Sequence, residues 1–196
     1  MLGSITRIAV MVSGGGTNLQ ALIDAEKSGI IKSGKIVLVA SNNPDAYALQ
    51  RAENNGIKSV IMTDEADLLR IFREEKIDLI VMAGFLKILS PEFISAYRDK
   101  MINIHPSLIP SFCGKGCYGI HVHEKALEYG VKVTGATVHF VNEIPDGGKI
   151  IAQKAVNIED GDTPEILQKR VMEQAEWILL PQAAEKISYE IMKGIR

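Results

Sequence analysis

A chain of 196 residues with 46% apolar side chains can bury one large core, so it reads as a single domain over residues 1–196. Twenty-two Lys and Arg against 24 Asp and Glu leave a net charge of −2, which argues against a nucleic-acid surface. No apolar run approaches a membrane span, and the first residues lack the pattern of a signal peptide. Both cysteines, Cys113 and Cys117, fall in one Gly-rich loop, a usage that predicts reduced thiols and a cytoplasmic location.

The first half alternates apolar runs with amphipathic stretches. "RIAVMV" (Arg7–Val12) is nearly all apolar, as a strand covered on both faces should be. Asn18 to Lys27 follows with helical spacing at Leu19, Leu22 and Ile23. "KIVLVAS" (Lys35–Ser41) predicts a second strand. Asp45 to Asn55 predicts a helix closed by Gly56. "KSVIM" (Lys58–Met62), a helix over Asp64 to Lys76 and "DLIVMAG" (Asp78–Gly84) complete a βαβαβαβ order, hence a parallel sheet with helices on both faces.

The second half differs. "MINIH" (Met101–His105) predicts a short strand, and His123 to Tyr129 a short helix. Val133–Val141 and Lys149–Val156 flank a "PDGG" turn and predict an antiparallel pair. A last helix opens with an Asp or Thr cap and Pro164 in its first turn, and is expected to bend or stop at Pro181. The fold class is therefore α/β: a Rossmann-like open twisted sheet, parallel in its N-terminal half and mixed in its C-terminal half.

Three segments carry chemistry. "SGGGTN" (Ser13–Asn18) joins the first strand to the first helix, where free N–H groups and the helix dipole attract an anion. A dinucleotide fingerprint needs a third glycine where Leu19 stands, and a triphosphate loop needs a following G-K-[ST], also absent. A single phosphate monoester fits better, against the alternative of a tight turn with no ligand. In "NIHPSLIPSF", Asn103 and His105 lie at i and i+2 of a strand and share a face at the carboxyl end of the sheet. An amide can donate to a developing oxyanion, and an imidazole can add charge or move a proton. With no G-x-S-x-G nucleophile, the pair suits direct attack by a substrate amine on an acyl donor, against the alternative of a histidine satisfied by backbone. Asp146, in the "PDGG" turn, is the candidate acid, expected to orient His105 and raise its pKa. His105, His121, His123, Cys113 and Cys117 are metal-ligand types without metal-site spacing, so no metal is expected.

Nearly end to end, the chain resembles the phosphoribosylglycinamide formyltransferases. The likeness rests on "SGGGTNLQALID", "AGFLKILSPEF", "NIHPSLIPSF" and "HFVNEIPDGGKII". It implies transfer of a formyl group from 10-formyltetrahydrofolate, as co-substrate and without a metal, to the amine of glycinamide ribonucleotide in purine biosynthesis. By matching position, Asn103, His105 and Asp146 would be catalytic. Gly16, Thr17, Asn18, Glu173 and Glu176 would hold the ribonucleotide. Leu86, Lys87, Ile88 and Leu89, with Asn103 and the loop Asn142, Glu143, Ile144, Pro145 and Asp146, would hold the folate. The implied partners are small molecules only, with no nucleic acid or membrane, acting on a monomer or homodimer. The chain departs from the pattern in three places. "MTDEADLL" is short and lacks an Arg that contacts the folate tail in some relatives. The loop "FCGKGCYGIHVH" is longer than in many, and one residue is extra between Arg170 and Pro181. Two sister families share such cores: formyltetrahydrofolate hydrolase, with an added N-terminal domain, and methionyl-tRNA formyltransferase, with an added C-terminal one. A hydrolase-like enzyme and a non-catalytic folate or nucleotide binder are the alternative readings.

Overall fold

The structure, a computed structural model, describes residues 4–196. In chain order it contains β1 (Thr6–Val12), α1 (Thr17–Lys27), β2 (Gly34–Ser41), α2 (Tyr47–Asn54), β3 (Lys58–Ile61), α3 (Glu65–Glu74), β4 (Leu79–Met82) and α4 (Pro91–Ala96). There follow β5 (Met101–His105), α5 (Ile120–Tyr129), β6 (Val133–Phe140), β7 (Ile150–Asn157), α6 (Pro164–Val171), a π-helical segment (Met172–Glu176) and α7 (Trp177–Met192). The strands form one sheet in the order β3-β2-β1-β4-β5-β6-β7. The β1–β2, β2–β3, β1–β4 and β4–β5 pairs are parallel. The β5–β6 and β6–β7 pairs are antiparallel.

The period-two geometry of a strand divides β1 between two cores. Ile8, Val10 and Val12 join one buried cluster with Leu19 and Leu22 of α1, Ala48 of α2, Leu167 of α6 and Leu180 of α7. Ala9 and Met11 join the other with Leu68 and Phe72 of α3 and Phe93 of α4. Burial on both faces is why the parallel strands read as unbroken apolar runs. The Phe72 ring meets Phe93 and Tyr97 edge-on, with centroids 6.1 and 6.0 Å apart, and ties α3 to α4.

After β3 the chain crosses back over β2 and β1 to place β4 on the far side of β1. The strand order therefore reverses between β1 and β4, and a crevice opens beyond their carboxyl ends, the usual ligand position in such sheets. Two hydrogen bonds fix its rim: Ser13 N donates to Gly84 O at 3.1 Å, and Leu86 N to Ser13 Oγ at 2.9 Å.

Three elements differ from the sequence expectation. Helix α4 forms in a stretch read only as a motif, because Ser90 Oγ caps it by accepting from Phe93 N and Pro91 opens its first turn. Helix α5 starts at Ile120, three residues ahead of the reading. The last helix, expected to bend or stop at Pro181, does not stop there: the proline lies inside α7. The irregularity falls one turn earlier, in the π-helical segment, where a widened turn takes up a residue that regular α-helix would not.

The β6–β7 turn carries Asp146. Asn142 Oδ1 accepts from Ile144 N at 3.0 Å, Gly147 N donates to Ile144 O at 2.9 Å, and Phe140 N to Lys149 O at 2.9 Å. At Gly148 the turn presses backbone against backbone: a Cβ there would sit 1.7 Å from Phe140 O. Gly148→Ala is therefore expected to lower the urea midpoint by the equivalent of about 1–3 kcal/mol and to reduce turnover with it. An alanine variant with the parent's midpoint and turnover would show that the turn is not set by this contact.

Candidate active site

The antiparallel register of β5 and β6 builds the site. Asn103 lies opposite His139, and His105 opposite Thr137, so four polar side chains lie on paired positions of two adjacent strands. Asn103 Nδ2 and His139 Nε2 are 3.2 Å apart. From the turn beyond β6, Asp146 places Oδ2 3.6 Å from His105 Nδ1 and Oδ1 3.6 Å from His139 Nε2. At that separation its contact with both rings is electrostatic. Asp146 holds a left-handed backbone (φ 56°), and its Oδ2 accepts from Gly114 N at 2.8 Å.

The proton positions follow from partners that can only accept. His105 Nε2 lies 2.9 Å from Phe112 O, so that nitrogen carries the proton and Nδ1 turns its lone pair toward Asp146. His139 Nδ1 lies 2.8 Å from Phe140 O, which leaves its Nε2 to accept from Asn103. The Asn103 amide then keeps a second N–H for a ligand. Burial lowers the His105 pKa; the Asp146 charge and the Phe112 carbonyl raise it back in part, and the His139 charge lowers it further. The expected net rise is thus corrected: the carboxylate is present and acts in the expected direction, but desolvation of a ring only 4% exposed outweighs it. Burial also works against ionisation of Asp146, yet the two imidazoles and the Gly114 N–H outweigh it, and its carboxyl lies below the usual value.

The two prolines of "NIHPSLIPSF" sit in a loop pinned from β6 and β7. Thr137 Oγ1 donates to Ser107 O at 2.7 Å and accepts from Ile109 N at 3.1 Å, and Gln153 Nε2 donates to Ile109 O at 3.0 Å. This anchoring delivers Phe112 O and Gly114 N onto His105 and Asp146.

At the other side of the crevice, Gly16 N-caps α1 in a left-handed conformation (φ 71°) and supplies no side-chain cap to the first turn. A Cβ at Gly16 would lie 2.6 Å from Ala48 Cβ, so α2 packs where only glycine fits. Arg51 of α2 braces the loop by donating from Nε to Gly15 O at 2.8 Å. Asn18 is buried and donates from Nδ2 to Glu176 Oε2 at 2.6 Å, while its Oδ1 has no partner within the protein. Burial pushes the Glu176 carboxyl up, against the Asn18 hydrogen bond.

Of the candidate residues, Asn103, His105 and Asp146 come together, as do Asn18 and Glu176. Thr17 is exposed, with Oγ1 3.8 Å from Met172 Sδ. Glu173 does not join this group: it is exposed and 3.8 Å from Lys169 Nζ. Leu86, Lys87 and Ile88 are exposed, whereas the Leu89 side chain is buried in the α3–α4 core, and the Leu86 N–H is already taken by Ser13. In the second loop Ile144 is exposed, and Glu143 is held by Arg98 at 2.6 Å. Sequence reasoning missed the part played by His139; its register against Asn103 was the signal, hidden until β5 and β6 were paired. His121 faces Glu124 at 2.7 Å, and among the described residues no group of three metal-ligating side chains gathers. No described helix is long and apolar enough to cross a membrane.

Residues 6–183 match the formyl transferase family, and the chain belongs to that family. Within it, the chain is similar to the phosphoribosylglycinamide formyltransferases. It is 40% identical to the Escherichia coli K12 enzyme of that name over 85% of this chain and 80% of the relative. It is 38% identical to the chloroplastic enzyme of Arabidopsis thaliana over 86% of this chain, and the match spans 61% of that relative's length. The crystal structure of phosphoribosylglycinamide formyltransferase from Anaplasma phagocytophilum aligns with a TM-score of 0.87 and 36% identity over 94% of this chain and 88% of the other.

One further buried imidazole bears on stability. His123 in α5 is wholly buried with neither ring nitrogen partnered, and its pKa is lowered to about 4 by burial first and the His105 charge second. A base whose pKa is lowered on folding favours the unfolded chain once that chain begins to protonate near pH 6.5. Stability is therefore expected to fall by about 3 kcal/mol as pH drops from 6.5 toward 4, and to level off for this group below that. Urea titrations should show a shallower fall for His123→Leu over the same window; equal slopes would place the acid sensitivity elsewhere.

Proposed function

We propose that the chain transfers a formyl group from 10-formyltetrahydrofolate to the amine of glycinamide ribonucleotide, a step of de novo purine biosynthesis. The observation that carries this reading is the Asp146–His105 pair with Asn103 and His139 at the carboxyl end of β5, the two imidazoles buried and the amide and carboxylate half-buried. The relatives' names support the choice of acceptor. The ribonucleotide phosphate would bind the N-terminus of α1 at Gly16, Thr17 and Asn18, with Glu176 beside them. The folate would lie along the Leu86–Ile88 rim, whose exposed apolar side chains suit a flat heterocycle, under the loop Asn142–Asp146. The folate supplies the formyl carbon. The amine forms its bond to that carbon as the bond to the folate N10 breaks, and the proton leaving the amine balances the one gained by N10.

The residues then have distinct tasks. Asn103, oriented by His139, presents its free N–H to the oxygen that gains negative charge, a donor of a kind that contributes about 3–4 kcal/mol to such a step. His105 rests neutral, and protonation at Nδ1 would turn its contact with Asp146 into an ion pair. Its lowered pKa leaves it free to accept a proton and quick to release it. Asp146 keeps its charge throughout.

A spectrophotometric assay of folate product with and without glycinamide ribonucleotide tests the reading. Product only with the acceptor supports transfer, product without it indicates hydrolysis, and binding without product would sink the catalytic assignment. His105→Ala is expected to keep the fold and lower turnover about a hundredfold; turnover near that of the parent would remove His105 from the chemistry. Gly16→Val, which puts a branched side chain against Ala48, should raise KM for the ribonucleotide far more than for the folate. An equal rise in both, with circular dichroism unchanged, would separate the loop from phosphate binding.

A further inference from the structure

We propose that Cys113 and Cys117 are a redox modification site: an intramolecular disulfide between them draws the intervening loop off His105 and Asp146 and switches the site off. The two residues bracket Gly114, whose N–H binds Asp146, and Cys113 directly follows Phe112, whose carbonyl fixes the His105 ring. No other segment touches both members of the pair through its backbone among the hydrogen bonds described above. A covalent change at Cys113 therefore lies next to both contacts, and one at Cys117 lies three peptide units from Gly114.

The loop is built to bend between the two cysteines. Cys117 N donates to Gly114 O at 3.0 Å, a turn that folds the chain back toward Cys113. Gly114 and Gly116 both take left-handed backbone (φ 80° and 78°), where glycine rearranges at little steric cost. The Cys113 thiol is pushed up by burial first and by the charges of Asp146 and Cys117 second, so it is the less reactive of the pair and suits the second, resolving step. Both side chains are partly exposed and free, so a small disulfide can reach them. Lys125 of α5 presents its ammonium to Cys117 Sγ at 3.2 Å while donating to Gly116 O at 2.8 Å, a cation placed against the sulfur that attacks first.

The oxidant is a low-molecular-weight disulfide such as oxidised glutathione. The Cys117 thiolate attacks one of its sulfurs, that S–S bond breaks, and one small thiolate leaves with Cys117 in a mixed disulfide. The Cys113 thiolate then attacks the Cys117 sulfur and expels the second small thiolate. Two protein thiols lose two electrons and two protons, and the small disulfide becomes two thiols. In the reduced loop the Cys113 thiol donates to Pro110 O at 3.2 Å. The disulfide removes that donor and holds the two Cβ atoms about 3.8 Å apart, a constraint placed across the segment that carries Gly114 N.

The inference rests on the proposed formyl transfer for one of its readouts, so the test includes two that do not. The whole chain is equilibrated with reduced and oxidised glutathione at graded ratios, quenched by alkylation and digested. Mass spectrometry should show the 113–117 peptide short of two hydrogens. His105 ring signals in NMR, which need no substrate, should shift with the fraction oxidised. Turnover should fall at least tenfold and return with dithiothreitol, while Cys113→Ser and Cys117→Ser keep the reduced protein's turnover and resist the oxidant. Mixed disulfides alone, or full conversion without a change at His105, would overturn the proposal. So would inactivation of both serine variants to the parent's extent. A reduced protein without formyl transfer would count against the assigned reaction, and the mass and NMR readouts would still decide the switch.

Discussion

The site depends on one half-buried carboxylate held between two imidazoles. Asp146 is short of hydrogen-bonding distance to either ring, accepts one backbone N–H and occupies a left-handed turn. Three segments distant in sequence meet it: the Gly-rich loop donates Gly114 N–H, and β5 and β6 bring the rings of His105 and His139, which attract it when protonated. The change from parallel to antiparallel pairing serves the same contacts: it sets His139 against Asn103, and the β6–β7 turn that follows carries Asp146.

The balance of charge on His105 shows why magnitude matters more than the presence of a partner. Reading an acid near a histidine as a raised pKa takes account of the Coulomb attraction alone. With the ring nearly excluded from water, desolvation is the larger effect, and the carboxylate only moderates it. For proton transfer the outcome is favourable, because an imidazole neutral at rest can accept a proton and return it. A permanently cationic ring locked to Asp146 would do neither.

Much of this was legible in the sequence, for identifiable reasons. Strands covered on both faces announce themselves as apolar runs, so β1, β2 and β4 could be read directly. Asn103 and His105 could be placed on one face because a period of two needs no tertiary knowledge. The role of His139 could not, since it arises from register across β5 and β6, and register is a pairing property. The buried state of His105 was equally out of reach: it depends on a loop seven residues on folding back to set Phe112 O against Nε2. Helix α4 was missed because six residues carry too little periodicity, although Ser90 and Pro91 mark its start.

The two glutamates of the last helical region show how one residue of backbone decides a site. Met172 reaches Thr17 and Glu176 reaches Asn18, and these positions are i and i+4, one above the other on a helical surface. Glu173, one residue on from Met172, is exposed and finds Lys169 instead. The π-helical segment spans these residues, and Pro181 follows within the first turns of α7, where a missing N–H would otherwise interrupt a regular ladder. The widened segment ends five residues before the prolyl ring. Beyond it α7 continues along the core with Leu180, Ala184 and Ile187 inward, and Glu176 stays buried against Asn18, where burial works against a negative charge and the Asn18 amide N–H works for it.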